Sequence, residues 1–116
     1  MKIAVLGAGM IGRAIASDLA FNHSITAFDL NKENLKLLQN KNPSINTKRV
    51  DLSEYKNYKR WFKPFDIIVS AVPGFIGHKV LKAIINAEKN IVDISFFSEC
   101  TGIRFFGKRK KGNCNC

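Results

Sequence analysis

Three glycines stand at fixed spacing near the start of the sequence, in Gly7-Ala8-Gly9-Met10-Ile11-Gly12, directly after the apolar run Lys2–Leu6. Each meets a different need if a phosphate is to rest on bare backbone. Gly7 permits a tight turn off a strand, Gly9 lets a pyrophosphate approach without meeting a Cβ, and Gly12 lets the following helix lie close against a sheet. The phosphates would sit at the helix N-terminus, where unpaired N–H groups and the positive end of the dipole stabilise them. Asp29 lies 20 residues beyond Gly9, where a carboxylate can accept hydrogen bonds from the ribose hydroxyls of an adenosine. Its charge repels a 2′-phosphate and so favours NAD over NADP, while Lys32, three residues on, is placed to swing toward such a phosphate. The plainer alternative is that the glycines only make a turn and Asp29 is a solvated strand end.

Further candidates lie along the same edge. Asp51 is either an acceptor for the exocyclic amine of adenine or a helix N-cap or first-turn acid. Ser70-Ala71-Val72-Pro73-Gly74 ends an apolar run with small residues, which leaves room for a dinucleotide or simply takes the chain from strand to loop. His78 is read as an early helical residue without chemistry, because nothing in the sequence supplies a partner to orient it. Trp61, Phe62 and Phe65 read as core or interface aromatics rather than a base-stacking platform.

These residues need elements to hold them, and the sequence supplies an alternating set. Lys2–Leu6 is a strand buried on both faces. Ile11, Ala14, Ile15, Leu19 and Ala20 recur with a helical period up to Phe21. Ser24–Phe28 is strand-like. Asn31 is placed to cap a second helix carrying Leu35, Leu37 and Leu38, which Asn42-Pro43 ends. Ile45–Val50 gives a third strand, and a polar helix presenting Tyr55, Tyr58 and Trp61-Phe62 runs to Pro64. Ile67–Val72 is the clearest buried strand. A helical stripe of Val80, Leu81, Ala83, Ile84 and Ile85 follows Gly77-His78, and Asn90–Phe96 is the fifth strand. Repeated βαβ units require right-handed crossovers and a parallel sheet covered on both faces, so the fold class is α/β, a doubly wound parallel sheet.

The 116 residues are 46% hydrophobic, enough for one small domain with one core. No apolar run approaches the roughly 20 residues that cross a bilayer, and no secretory signal layout opens the chain, so a soluble cytoplasmic protein is expected. The net charge is +10, but residues 1–100 hold 14 Lys and Arg against 9 acids. Residues 101–116 add five basic residues and no acid, and Cys100, Cys114 and Cys116 are the only cysteines. Two compositions therefore meet near Glu99.

The G-A-G-M-I-G-R-A opening, the V-D-L at Val50–Leu52, the D-I-I-V-S-A-V-P-G-F strand and the I-V-D-I-S-F-F strand together resemble the N-terminal cofactor-binding domain of the saccharopine dehydrogenase family. The resemblance covers residues 1 to about 99, and its last two motifs are the most specific. It implies a Rossmann domain of an NAD(P)-dependent oxidoreductase acting on a C–N bond of an amino acid, as in lysine metabolism. By that resemblance Gly7, Gly9, Met10, Ile11 and Gly12 hold the pyrophosphate, Asp29 the ribose, Asp51 and Leu52 the adenine, and Ala71, Val72 and Pro73 the nicotinamide half. No catalytic residue and no metal ligand is assigned. The family continues into a substrate-binding and dimerising domain, so the chain is expected to be a truncated fragment, inactive alone. Its alternative is a regulatory module that senses a nucleotide and catalyses nothing.

Residues 100–116 are expected to be an out-of-frame, disordered tail. Reading one nucleotide later permits A-L-E-L-D-F-L from Cys100–Phe106 and A-K-E-K-K-V-T-V-I from Gly107–Asn115, an amphipathic helix followed by a β-branched strand. In this reading the sheet ends at its fifth strand, the sixth is missing, and the exposed sheet edge invites self-association. Nucleic acid is not an expected partner of the basic run, and one close cysteine pair offers too few ligands for a metal.

Overall fold

The computed structural model describes residues 1–72, 74–93 and 104–106. Strands β1 (Lys2–Leu6), β2 (Ser24–Asp29), β3 (Asn46–Arg49), β4 (Ile67–Ser70) and β5 (Asn90–Asp93) alternate with helices α1 (Met10–Leu19), α2 (Lys32–Lys41), α3 (Tyr58–Phe62) and α4 (Gly74–Asn86). A 3-10 turn, Tyr55–Asn57, leads into α3. The five strands are parallel, with spatial order β3-β2-β1-β4-β5 before a short β6 (Arg104–Phe106). The chain builds outward from β1 in one direction, then returns to β1's other side with β4. That reversal opens a crevice at the carboxyl edge between β1 and β4.

Strand alternation makes two cores, one on each face of the sheet. Ile3, Val5, Ile25, Ala27 and Val69 pack with Ala16, Leu35 and Leu38 of α1 and α2. Ala4, Leu6, Phe28, Ile68 and Ile91 pack against Tyr58, Phe62, Val80 and Ile84 of α3 and α4. Phe28 meets Phe62 and Phe65 edge-on with ring centroids 5.2 and 5.7 Å apart, so these aromatics are core, and the half-buried Trp61 packs beside them.

Four details depart from the sequence reading. On α1 the buried residues are Gly12 and Ala16, whereas Ile11 and Ala14 face solvent, because the helix approaches the sheet through its smallest side chains. The third strand covers only Asn46–Arg49 of the expected Ile45–Val50, and β4 stops at Ser70 rather than Val72. Helix α4 starts at Gly74, ahead of Gly77-His78. The sheet does not end at β5: Arg104–Phe106 pair antiparallel with it, Val92 opposite Phe105. An antiparallel neighbour needs no crossover helix, so a short β-prone run can return along the open edge. Of the fifth strand as expected, residues 94–96 lie outside the described residues, as do 100–103 and 107–116 of the tail.

Candidate functional site

The loop from β1 into α1 is fixed by backbone contacts before any ligand is considered. Gly7 N–H donates to the Phe28 carbonyl at 2.8 Å, and its φ of +96° lies in the left-handed region that glycine favours. A Cβ there would come within 2.8 Å of the Ala71 carbonyl oxygen. A Cβ at Gly12 would run into the Gly7 carbonyl and lie 3.6 Å from the Ala71 Cβ. These two glycines are therefore required by the close packing of β1, α1 and the segment after β4.

Gly9 differs. Its φ of −69° suits any residue, and a Cβ built on it has no heavy atom within 4 Å. The fold places no demand for glycine there, and the side-chain position opens on empty space at the helix start. Gly9 caps α1 without a side-chain hydrogen bond, its carbonyl accepting from Arg13 N–H at 2.9 Å. The amides of Met10, Ile11 and Gly12 have no hydrogen-bond partner among the described residues, which leaves first-turn donors turned toward that space. Met10 is 81% and Ile11 50% exposed, so apolar side chains rim the opening.

Asp29, at the tip of β2, braces the loop. Its Oδ2 accepts from Ala8 N–H at 2.6 Å and its Oδ1 from Asn31 N–H at 2.8 Å. One carboxylate thus ties the glycine loop to the start of α2, where the Asn31 side chain accepts from Asn34 N–H as the cap. A carboxylate has about four acceptor positions, and these bonds use two of them. Arg13 adds a second brace that sequence reasoning missed: its guanidinium donates to the Ala8 carbonyl at 2.9 Å and to Asn34 Oδ1 at 3.2 Å. The signal was available, since a cation in the first turn runs against the helix dipole and needs a local reason. A cavity of about 400 Å³ between α1 and α2, lined in part by Met10, Arg13 and Leu37, adjoins the loop.

Asp51 joins the same rim, because Val50 N–H donates to the Asp29 carbonyl at 3.0 Å. It caps no helix. Its Oδ1 accepts from Ser53 Oγ at 2.6 Å and Ser53 N–H at 2.9 Å, and these bonds, the hydroxyl first, hold its exposed carboxyl below the ordinary range. Leu52 is half-buried against the core, with its carbonyl accepting from the Tyr58 hydroxyl at 2.6 Å. On the other side of the crevice, Ala71 N–H donates to the Leu6 carbonyl at 2.8 Å, which sets Ala71 against Gly7 and Gly12. Val72 is buried in the core on the α4 side, and Pro73 lies outside the described residues. The Ser70 hydroxyl is fully buried and has no hydrogen-bond partner among the described residues. Gly7, Gly9, Met10, Ile11, Gly12, Asp29, Asp51 and Ala71 are thus gathered at the carboxyl edge, while Leu52 and Val72 turn into the core. Among the described residues no group of three potential metal ligands occurs, and no helix is long and apolar enough to cross a membrane.

Comparison with known proteins agrees with this architecture. The family model of the saccharopine dehydrogenase NADP binding domain matches residues 3–113, beyond the residue near 99 where the motifs stop. No curated protein matches the chain by sequence. Among solved structures, apo saccharopine dehydrogenase (L-Glu forming) from Saccharomyces cerevisiae is similar with a TM-score of 0.70 at 20% identity, over 84% of this chain and 22% of that one. A 3-hydroxyacyl-CoA dehydrogenase from Archaeoglobus fulgidus gives 0.61 at 21% identity, over 83% of this chain and 34% of that one. The Bordetella bronchiseptica enzyme WbmG in complex with NAD gives 0.63 at 14% identity, over 80% and 36%. The chain therefore spans between about a fifth and a third of the length of these relatives.

Proposed function

Since the chain belongs to the saccharopine dehydrogenase NADP binding domain family, we propose that its glycine loop grips the diphosphate of a nicotinamide dinucleotide, for an oxidoreductase acting on a C–N bond of an amino acid. The observation that carries this reading is Gly9. Its glycine is not needed by the fold, and a bound pyrophosphate is what a Cβ there would obstruct. The amides of Met10, Ile11 and Gly12 would hold the phosphates, Asp29 the adenosine ribose, Asp51 and the Leu52 backbone the adenine edge, and Ala71 to Pro73 the nicotinamide half. The bound dinucleotide would supply the hydride chemistry; the chain's own residues bind and orient it. We assign no catalytic residue to these 116 residues. Productive transfer needs the amino-acid carbon held against the nicotinamide by a substrate domain.

NAD(H) is the proposed preference, because a carboxylate at the end of β2, as Asp29 is, would repel a 2′-phosphate on the adenosine ribose. WbmG in complex with NAD has the same fold, while the family description names NADP and Lys32 is the nearby cation in sequence. A cytoplasmic role in amino-acid metabolism, lysine included, accompanies this reading. A change of composition near residue 99 into an out-of-frame tail, of which Arg104–Phe106 nevertheless add β6 to the sheet, is proposed as well, and sequencing the gene through codons 95–116 tests it. Fluorescence titration with NADH, NADPH and ATP tests the central proposal. Saturable binding that falls in the order NADH, NADPH, ATP is expected; preference for ATP would replace it with a nucleotide sensor.

A further inference from the structure

Away from the carboxyl edge, the outer surface of the α3 and α4 layer holds a cavity of about 440 Å³. Its walls carry Lys56 and Lys59 from one helical segment and Lys79 and Lys82 from α4, with Tyr55 and Tyr58 beside them. Residues three apart lie on one helical face, so each segment contributes a pair, and the two pairs line one concavity. No acid is among the lining residues; Glu54 and Glu88, the nearest acids in sequence, lie outside it. None of the four lysine side chains makes an ion pair or hydrogen bond with a described residue. Four uncompensated ammonium groups around a low-dielectric wall concentrate positive potential inside the cavity. A monoanion would neutralise one of them, whereas a chain of phosphates carries enough charge to bridge both pairs, and the volume is in the range of small-molecule sites.

We propose that this lysine-lined cavity is a second anion site, separate from the glycine loop, that binds a polyphosphate group. The group is shared by inorganic polyphosphate and nucleoside triphosphates, and the part-exposed Tyr55 ring offers the latter a place for a base. Calorimetric titration of the full chain with tripolyphosphate and, separately, with ATP at about 0.1 M salt tests it. Four proteins are compared: the unaltered chain, Lys79→Glu with Lys82→Glu, Lys56→Gln with Lys59→Gln, and Gly9→Val. Tripolyphosphate should bind the unaltered chain and Gly9→Val alike, and the double reversal should weaken it roughly tenfold or more while leaving NADH binding unchanged. Lys56→Gln with Lys59→Gln, on the other wall, should weaken it as well and guards against misfolding of the first variant. Equal affinity for ATP assigns the site to the phosphate chain; tighter ATP binding that also falls in the lysine variants assigns it to a nucleotide. Absence of tripolyphosphate binding overturns the proposal, as does loss in Gly9→Val with none in the lysine variants, which would put the anion on the glycine loop.

Discussion

The glycine motif divides by what each residue faces. Gly7 and Gly12 face backbone, so Gly12→Ala should cost about 1–3 kcal/mol through overpacking against the Gly7 carbonyl. Gly9 faces open space, so substitution there should act on ligand and not on fold. Asp29 has two tasks, because the carboxylate proposed to receive the ribose also pins Ala8 and Asn31. Asp29→Asn removes the charge that repels a 2′-phosphate and turns one acceptor into a donor facing an N–H. The expected outcome is a shift of the NADH-to-NADPH affinity ratio toward NADPH by roughly tenfold, with a lower melting temperature. Unchanged preference in parallel titrations would remove Asp29 from the specificity argument. The sequence made these positions legible because glycine spacing encodes backbone geometry directly. It could not show that Asp29 is an internal brace, since a hydrogen bond across 21 residues leaves no local pattern.

At the scale of elements, the buried parallel strands were the most legible part. Ile3–Leu6 and Ile67–Val69 are covered on both faces of the sheet and read as unbroken apolar runs. The cap of α2 was legible too, since Asn31 precedes the periodic leucines and its Oδ1 accepts from Asn34 N–H at 3.1 Å. Asn31→Ala should therefore lower stability by about 1 kcal/mol, measured by urea denaturation; a difference near zero would mean that the Asp29 bond alone starts the helix. What was misread has physical causes. Of the helical stripe of α1, Ile15, Leu19 and Ala20 do pack against the core, whereas Ile11 and Ala14 face solvent and Gly12 and Ala16 are the fully buried contacts that a close helix–sheet approach selects. The start of α4 was placed late because Pro73-Gly74 resembles a loop, yet Gly74 already opens the helix. Strand β6 is three residues long, too short for any periodicity to announce it.

At the scale of the whole molecule, two cores clamp one sheet, and Tyr58 links the α3 side to the loop after β3. Burial, with smaller contributions from Tyr55 and Asp51, pushes the Tyr58 phenol well above the ordinary tyrosine range. The folded state holds this proton more tightly than the unfolded chain does, so its stabilising effect is complete below pH about 10 and declines as pH rises further. The melting temperature should accordingly fall above pH 10. In Tyr58→Phe that alkaline loss should shrink, while stability at neutral pH drops by about 1 kcal/mol because the Leu52 carbonyl loses its donor. An alkaline fall of the same size in Tyr58→Phe would assign it to other groups. Of the sheet's two edges, β3 presents Lys48 and Arg49, which disfavour strand addition, so any self-association is proposed at the β6 side. Diphosphate binding at this site depends on the open space that Gly9 leaves at the first turn of α1. Titrating NADH into the intact chain and into Gly9→Val, with melting curves of both, tests it most directly. Loss of NADH binding with an unchanged melting temperature is the predicted result. Equal NADH affinity in the two proteins would contradict the placement of the diphosphate and with it the proposed function.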